Sequence, residues 1–349
     1  MKTYGILLIG CGHIGREHIQ DIYFREEFRI EAVVDRDARL AEEFQHRYGA
    51  AHSGTDYRVF LDTPDVDIVI IATYADSHLS ILRDCLAAGK HVLCEKPIAR
   101  TMEDAQAFCR LVEQAQSKVL VAHILRHNLS YQTVARLIHS GAIGELRLMR
   151  MVQNHHAMNW PRYKRLMQDC PPIVDCGVHY LDIMQWFSGS RITQVSGIST
   201  KLDADAPCDN FGMIHVRMEN GCVGYYEAGW GKNISAQNVK EFVGEKGRIT
   251  LTLQSNRACD NEEGDLITLY RHDTGEYQTH NVPAKYKDMY AQLRCLVDMI
   301  EQDAPANPGM EDVFRAFRAA LLANAAIREN RILTIPEEIR AVEPVRNQP

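Results

Sequence analysis

The apolar run Tyr4-Gly5-Ile6-Leu7-Leu8-Ile9 leads directly into Gly10-Cys11-Gly12-His13-Ile14-Gly15. A G-x-G-x-x-G behind a buried strand and at the head of a helix leaves few folds open, because each glycine has its own task. Gly10 permits the tight turn. Gly12 lets the backbone approach a pyrophosphate. Gly15 lets the helix pack closely on the strand. The helix N-terminus behind them presents unpaired N–H groups and a partial positive charge to phosphate. A second strand ends at Asp35, the spacing at which a carboxylate grips the adenine ribose diol. Strand, glycine turn and carboxylate together predict a dinucleotide site. Asp35 repels a 2′-phosphate, so NAD is the expected cofactor. NADP stays open, since Arg36 beside it can stack on adenine or pair with that phosphate.

The same alternation continues to His123. Tyr4–Ile9, Ile30–Val34, Asp67–Ala72, His91–Cys94 and Lys118–Ala122 are short apolar or β-branched runs, the pattern of strands buried on both faces. Helix candidates lie between them at Ile14–Phe24, Ala38–Tyr48, Ser77–Ala88 and Met102–Ala115. Gly49 and Gly89 are placed as C-caps, and Asp76 or Ser77 and Thr101 as N-caps. This pattern predicts a parallel sheet with helices on both faces. After Arg126 the grammar changes. A helix at Tyr131–Ser140 and a strand at Glu145–Asn154 precede a polar, aromatic loop from His155 to Pro172. A helix from Gly177 to Phe187 is followed by consecutive strands, two of them joined at Glu219-Asn220-Gly221 as a hairpin. Helices Tyr286–Glu301 and Glu311–Asn330 close the chain. The expectation is an α/β protein: an N-terminal Rossmann domain over residues 1–123, then a C-terminal α/β domain over 124–349 with an open, mostly antiparallel sheet.

A net charge of -7 over 349 residues argues against a nucleic-acid partner. No apolar stretch is long enough to span a bilayer, and the N-terminus lacks a signal-peptide cleavage pattern. A cytoplasmic location is expected. The ten cysteines are irregularly spaced, fitting neither a disulfide framework nor zinc knuckles. They read as free thiols, and no metal site is expected.

Glu95-Lys96-Pro97 follows the strand ending at Cys94, where a doubly wound sheet faces its ligand crevice. A lysine there can hydrogen-bond a reacting hydroxyl, and burial can lower its pKa toward a useful range. A lysine merely capping the strand end is the equal alternative on the tripeptide alone.

These segments, taken together, resemble the glucose–fructose oxidoreductase / inositol dehydrogenase / MocA family. The resemblance rests on Gly10–Gly15 with His18, Ala72-Thr73 with His78, Glu95-Lys96-Pro97, Gly141-Ala142-Ile143-Gly144-Glu145, and Asp175-Cys176-Gly177-Val178-His179 with Asp182. It implies an NAD(P)-dependent dehydrogenase that moves a hydride between nicotinamide and a hydroxyl-bearing carbon of a sugar, cyclitol or related polyol. It implies cofactor contacts from His13, Ile14, Thr73, Tyr74, His78 and Glu95, beside Gly10, Gly12, Gly15, Asp35, Arg36 and Lys96. Lys96, Asp175 and His179 become the catalytic group, with His179 as proton acceptor in oxidation. Asp175 and His179, four apart, share one face of a helical turn. Arg126, His155 and Trp160 become substrate contacts with them, although Trp160 can equally anchor its loop. The resemblance also implies a cis bond before Pro97, and a homo-oligomer, dimer or tetramer, assembled through the second sheet.

The sequence departs from the family pattern at Tyr74, where proline is common, at Pro171-Pro172, where glycines are common, and at Ala122–His127, which keeps Arg126 without its usual companions. These departures bear on the substrate rather than on the chemistry. Two alternatives share the fold: glycoside cleavage through transient oxidation, and a cofactor-binding regulator without catalysis.

Overall fold

The structure, a computed structural model, describes residues 2–253 and 264–337. The first lobe comprises β1 (Tyr4–Ile9), α1 (His13–Ile22), β2 (Phe28–Val34), α2 (Ala38–Tyr48), β3 (His52–Gly54), α3 (Arg58–Leu61), β4 (Ile68–Ile71), α4 (Ala75–Ala87), β5 (His91–Cys94), α5 (Met102–Gln114) and β6 (Val119–Val121). Its six strands are all parallel, in the order β3-β2-β1-β4-β5-β6. The order reverses between β1 and β4, so a crevice opens beyond the carboxyl ends of β1, β4 and β5. The unbroken apolar runs follow from burial on both faces: every residue of β1 and of β4 is buried.

A short 3₁₀ turn, Ile124–His127, leads into the second lobe. This holds α6 (Leu129–His139), β7 (Leu146–His156), α7 (Trp160–Asp169), α8 (Pro172–Asp175), α9 (Gly177–Ser188), β8 (Ile192–Thr200), β9 (Phe211–Met218), β10 (Val223–Gly231), β11 (Gln237–Gly244), β12 (Gly247–Thr252), β13 (Asp265–Arg271), β14 (Tyr277–Val282), α10 (Met289–Gln302), α11 (Met310–Glu329) and β15 (Leu333–Thr334). The sheet runs β14-β13-β12-β11-β7-β10-β9-β8-β15. Among the described residues only the β7–β10 pair is parallel, so the mostly antiparallel expectation holds. The hairpin at 219–221 joins β9 to β10, with Gly221 in the left-handed region its turn demands.

Helix α9 covers the inner face of this sheet, and α11 packs on α9 and β8. Helix α10 crosses back. Its Leu293, Leu296, Val297 and Met299 join the Rossmann core of Tyr4, Ile6, Leu8 and Ile30. The first lobe is therefore completed by a helix from the far end of the chain, which a division at 123/124 does not convey. Residues 338–349, assigned with the second domain, lie outside the described residues.

Three local expectations are corrected. The segment expected as a loop from His155 to Pro172 contains α7, capped by Asn159 and carrying Pro161 in its first turn; Asn before Pro is itself a helix-start signal. Helix α4 begins at Ala75 rather than Ser77, with Tyr74 at its N-cap and no capping side chain. The hydroxyl of Ser77 instead donates to the Tyr74 carbonyl and meets that of Thr73 at 2.7 Å. Strands β13 and β14 were not anticipated. In β13 Ile267 and Leu269 fill the buried phase against β12, whereas β14, Tyr277–Val282, is almost wholly polar and is held as a strand by its pairing with β13.

Candidate active site

The glycine turn has the geometry a dinucleotide requires. Gly10 adopts φ +102°, and a Cβ there would lie 2.5 Å from the Ala72 carbonyl oxygen. A Cβ on Gly15 would lie 1.9 Å from the Gly10 carbonyl oxygen, so only glycine lets α1 approach β1. A Cβ on Gly12 meets nothing within 4 Å, which is the cradle a pyrophosphate needs at the head of α1. His13 and Ile14 form the opening turn of that helix. Asp35 stands at the end of β2. Its Oδ2 accepts from Cys11 N at 2.8 Å and its Oδ1 from Asp37 N at 2.9 Å. The carboxylate thus braces the turn while each oxygen keeps a lone pair for a ribose hydroxyl. Arg36 beside it is exposed. Thr73 and Tyr74 stand at the neighbouring end of β4, and Tyr74 is 43% exposed.

Two residues expected at the cofactor are buried beneath it. His78 Nδ1 lies 3.0 Å from the Pro97 carbonyl and Nε2 3.1 Å from the Thr73 carbonyl. Burial pushes the His78 pKa down, so the neutral ring donates its one N–H to one of these carbonyls while packed against the other, between the ends of β4 and β5. Glu95 Oε1 lies 2.8 Å from His18 Nε2, and Oε2 accepts from Lys96 N at 3.2 Å. Burial would raise its pKa, but His18 and Lys96 outweigh that, and the carboxyl is held below its ordinary range. Glu95 therefore links α1 to the Lys96 backbone.

The Lys96–Pro97 peptide bond is cis, as expected. Lys96 Nζ donates to Asp175 Oδ1 at 3.0 Å and to the Asp175 carbonyl at 3.1 Å. Two of its three N–H donors are engaged and one is left for a ligand. The expected lowering of its pKa is corrected. Burial does press it down, but the Asp175 charge, with Cys176 and Glu95, presses harder the other way. Lys96 is held above its ordinary value as a fixed cation.

Asp175 closes α8, and Cys176, in helical geometry, carries the chain into α9. His179 N donates to Cys176 O at 3.1 Å, so His179 stands one turn beyond Asp175. Its Nδ1 is buried with no hydrogen-bond partner among the described residues. Its ring meets the edge of His123 at 5.7 Å and 86°. Burial, then the charges of Lys96, His123 and Lys287, push His179 well below its ordinary value. A neutral imidazole and a charged ammonium therefore face the crevice side by side. Asp175 charge-balances Lys96 rather than His179.

Arg126 was expected to touch substrate. The structure places it under the site instead. It is 5% exposed. Its Nε and Nη2 donate to the two oxygens of Asp182 at 2.8 and 2.7 Å. Its Nη2 also lies 3.1 Å from Asp312 Oδ2, and Nη1 donates to Asn307 at 3.3 Å. Asp182 is one turn beyond His179 on α9, and its Oδ2 lies 3.5 Å from His123 Nδ1. Arg126 thus holds the helix that carries His179. Arg126→Met should lower unfolding free energy by about 3–5 kcal/mol, the cost of stranding a buried carboxylate. Denaturant melts check this; unchanged stability with a raised KM would restore the substrate-contact role.

Trp160 likewise anchors rather than lines. Its Nε1 donates to Asp205 Oδ2 at 2.8 Å, and Lys232 lies over its ring at 4.9 Å. His155 Nδ1 lies 3.1 Å from the Tyr163 hydroxyl, and burial, followed by Arg162, lowers its pKa to about 4. It occupies the crevice end of β7, opposite Trp230.

The inward face of the second sheet changes character toward that end. Met149, Gly224 and Phe242 lie abreast, then Met151, Tyr226 and Lys240, then Gln153, Ala228 and Asn238. Lys240 was not anticipated. It is fully buried, donates to Val152 O at 2.9 Å and to Asn238 Oδ1, and stands 4.8 Å over the Tyr180 ring. Burial pushes its pKa far down. Its signal lies in the strand itself: Lys240 shares the parity of Phe242, the inward phase. Gln153 Nε2 donates to the Tyr286 hydroxyl at 2.8 Å. Among the described residues no group of three or more His, Cys, Asp or Glu is arranged to hold a metal.

Two family models match the chain. Residues 4–123 match an oxidoreductase family with an NAD-binding Rossmann fold, and residues 131–250 match the GFO/IDH/MocA C-terminal domain. Inositol 2-dehydrogenase 2 of Saccharopolyspora erythraea is 30% identical over 260 residues, 71% of this chain and 73% of that protein. The 4-carboxy-2-hydroxymuconate-6-semialdehyde dehydrogenase of a Sphingobium species is 28% identical over 321 residues, 90% of each chain. In fold, the chain superposes on the scyllo-inositol dehydrogenase of Lactobacillus casei, solved with NAD(H) and scyllo-inositol. The TM-score is 0.79 at 21% identity, covering 95% of this chain and 99% of that one.

Proposed function

The chain belongs to the GFO/IDH/MocA oxidoreductase family, and we propose that it oxidises a secondary hydroxyl of a sugar, cyclitol or related polyol with NAD. The observation that carries this reading is the Lys96–Asp175 pair at the end of β5, with neutral His179 one turn away and the glycine turn beside it. The first turn of α1 would hold the pyrophosphate and Asp35 the adenine ribose. Bound nicotinamide supplies the hydride acceptor in oxidation and the donor in reduction. Lys96 donates its remaining N–H to the reacting hydroxyl and stabilises negative charge growing on that oxygen. His179 takes the proton, and Asp175 holds Lys96 in place while accepting from a neighbouring hydroxyl. Orientation of the substrate against these fixed groups supplies much of the rest.

No helix among the described residues is long and apolar enough to cross a membrane. We place the protein in the cytoplasm; nine of its cysteines are free thiols, and Cys259 lies outside the described residues. The outward face of the second sheet carries Leu148, Val152, Val223, Tyr225, Val239 and Val243, all incompletely buried. That face supports assembly of a homo-oligomer through the sheet.

The test is a screen of polyols and their keto forms with NAD and NADP, read by reduced-nicotinamide absorbance. Net accumulation of NADH is expected. Release of an aglycone without it would select redox-neutral glycoside cleavage, and binding of NAD with no turnover would select a regulator. In the same assay Asp35→Ala should weaken NAD more than NADP, because it removes both the diol contact and the charge that repels phosphate. An unmoved ratio would transfer that choice to Arg36.

A further inference from the structure

Two cations flank the crevice end of β7, next to Tyr163 on His155 and Tyr286 on Gln153, and neither has a counter-ion among the described residues. Arg162 stands in the opening turn of α7, and that helix is fixed at both ends. Tyr163 meets His155 across the crevice, and Arg100, just behind Lys96-Pro97, donates to the Gln168 and Asp169 carbonyls at 3.3 and 3.1 Å. Lys287 stands in the segment that returns the chain from β14 to α10. That segment is strapped to both lobes. On one side the Asn128 amide donates to the carbonyls of Lys285 and Tyr286 at 3.1 and 3.3 Å, and Tyr286 meets Gln153 of β7. On the other, Asp21 of α1 takes the Lys285 ammonium and accepts from Met289 N at 3.1 Å.

Both cations are half-buried. Neither side chain has a hydrogen-bonding or carboxylate partner among the described residues. Of the surrounding carboxylates, Glu95 is committed to His18, Asp175 to Lys96 and Asp288 to the cap of α10, while Glu17 lies 3.7 Å from His13 and makes no ion pair with Lys287. The contacts of their neighbours mark the ground between them: Tyr163 meets His155 and Tyr286 meets Gln153, two residues apart on the inward face of β7. After burial, Arg162 and Lys287 both act to keep His13 of the glycine turn and His155 of β7 neutral, and Lys287 acts on His179. Lys287 itself is pressed down by burial, against the pull of Glu17 and Glu95, and further by Lys96 and Arg162. Like charges drawn together away from water repel, and a neutral polyol does nothing to offset that; an anion accepting from both does.

We infer that Lys287 and Arg162 form an anion subsite for a carboxylate of the substrate, so that the polyol turned over is an acid such as an aldonate, a uronate or a carboxylated cyclitol. This rests on the dehydrogenase reading above and narrows its substrate class. A phosphate of the dinucleotide offers the same chemistry, and the experiment separates the two.

The full chain and its Lys287→Met and Arg162→Met variants are assayed with NAD on aldonates and uronates, each beside its neutral counterpart. NAD affinity is titrated separately by fluorescence. Expected are a preference for the acids of at least about tenfold in kcat/KM, its loss through KM in both variants, and NAD affinity within about twofold of the parent. Turnover of neutral polyols as good as that of the acids would overturn the subsite and leave the dehydrogenase reading standing. A tenfold loss of NAD affinity with the acid preference intact would assign the pair to the cofactor and also overturn it. If nothing is turned over, the dehydrogenase reading fails, and calorimetric titration of the NAD-loaded protein with D-gluconate and D-glucuronate decides. Binding that disappears in Lys287→Met sustains the subsite, and no binding by the parent overturns it.

Discussion

Lys96→Met should reduce kcat by about 10²–10³-fold while NAD binds within a few-fold of the parent, the size of loss that follows when one preorganised donor is taken from a developing oxyanion. In the proposed reading the glycine turn and Asp35 carry the dinucleotide grip, and the contacts of Asp35 are to the Cys11 and Asp37 amides rather than to Lys96. Lys96 is anchored twice on Asp175, so its remaining N–H is aimed rather than free to wander. Methionine keeps the length and apolar stem but offers no donor. It also leaves Asp175 without its cation; that side chain is 26% exposed, so water screens the remaining charge and the fold survives. Lys96→Arg should recover little, because a planar fork does not reproduce a point charge held between a carboxylate and a carbonyl. The readouts are steady-state kcat and a fluorescence titration of NAD. Turnover within tenfold of the parent would remove Lys96 from the chemistry.

What was legible in advance divides along physical lines. The Rossmann lobe was readable because its strands are buried on both faces and its helices alternate with them, so pattern alone separates them. Gly10 and Gly15 were readable because each satisfies a backbone constraint that no other residue type meets at that spacing, and the place of Asp35 at the end of the second strand followed from the strand pattern. The sign of the Lys96 shift was not. Burial and an opposing charge pull in opposite directions, and which wins depends on a 3.0 Å contact between residues 79 positions apart. Arg126 and His78 were misplaced for a related reason. Polar residues near a crevice look like ligand contacts until their buried partners, Asp182 for one and two carbonyls for the other, are seen. Lys240 hid in plain alternation. A lysine in the inward phase of a strand contradicts the usual pattern, and such local contradictions gather at functional sites.

His179→Asn should slow oxidation by about 10²–10⁴-fold, the usual contribution of a positioned base, and should remove the acid limb of the parent's pH profile. The direction follows from the surroundings of the ring. Proton acceptance needs the neutral imidazole. Burial and the neighbouring cations hold His179 well below 6.5, so the neutral form persists on acidification past the point where an ordinary histidine is half charged. Activity should therefore hold through pH 6.5 and fall only as pH drops beneath it. Lys96, held above 10.5, keeps its proton across the same range and sets no limb near neutrality. A profile flat across neutral pH is the signature of this pair, unlike the centred bell of two groups poised near 7. His155 is the rival source of an acid limb, since it titrates at about 4 and lies on the same crevice. The two are separated by His155→Asn, which should keep the limb, and His179→Asn, which should not. Asparagine preserves polarity and approximate size, and His179 makes no hydrogen bond through Nδ1 among the described residues for the substitution to break, so NAD affinity should stay near that of the parent. Parent-like oxidation in His179→Asn with an unchanged profile would mean that the proton leaves by a path other than this imidazole.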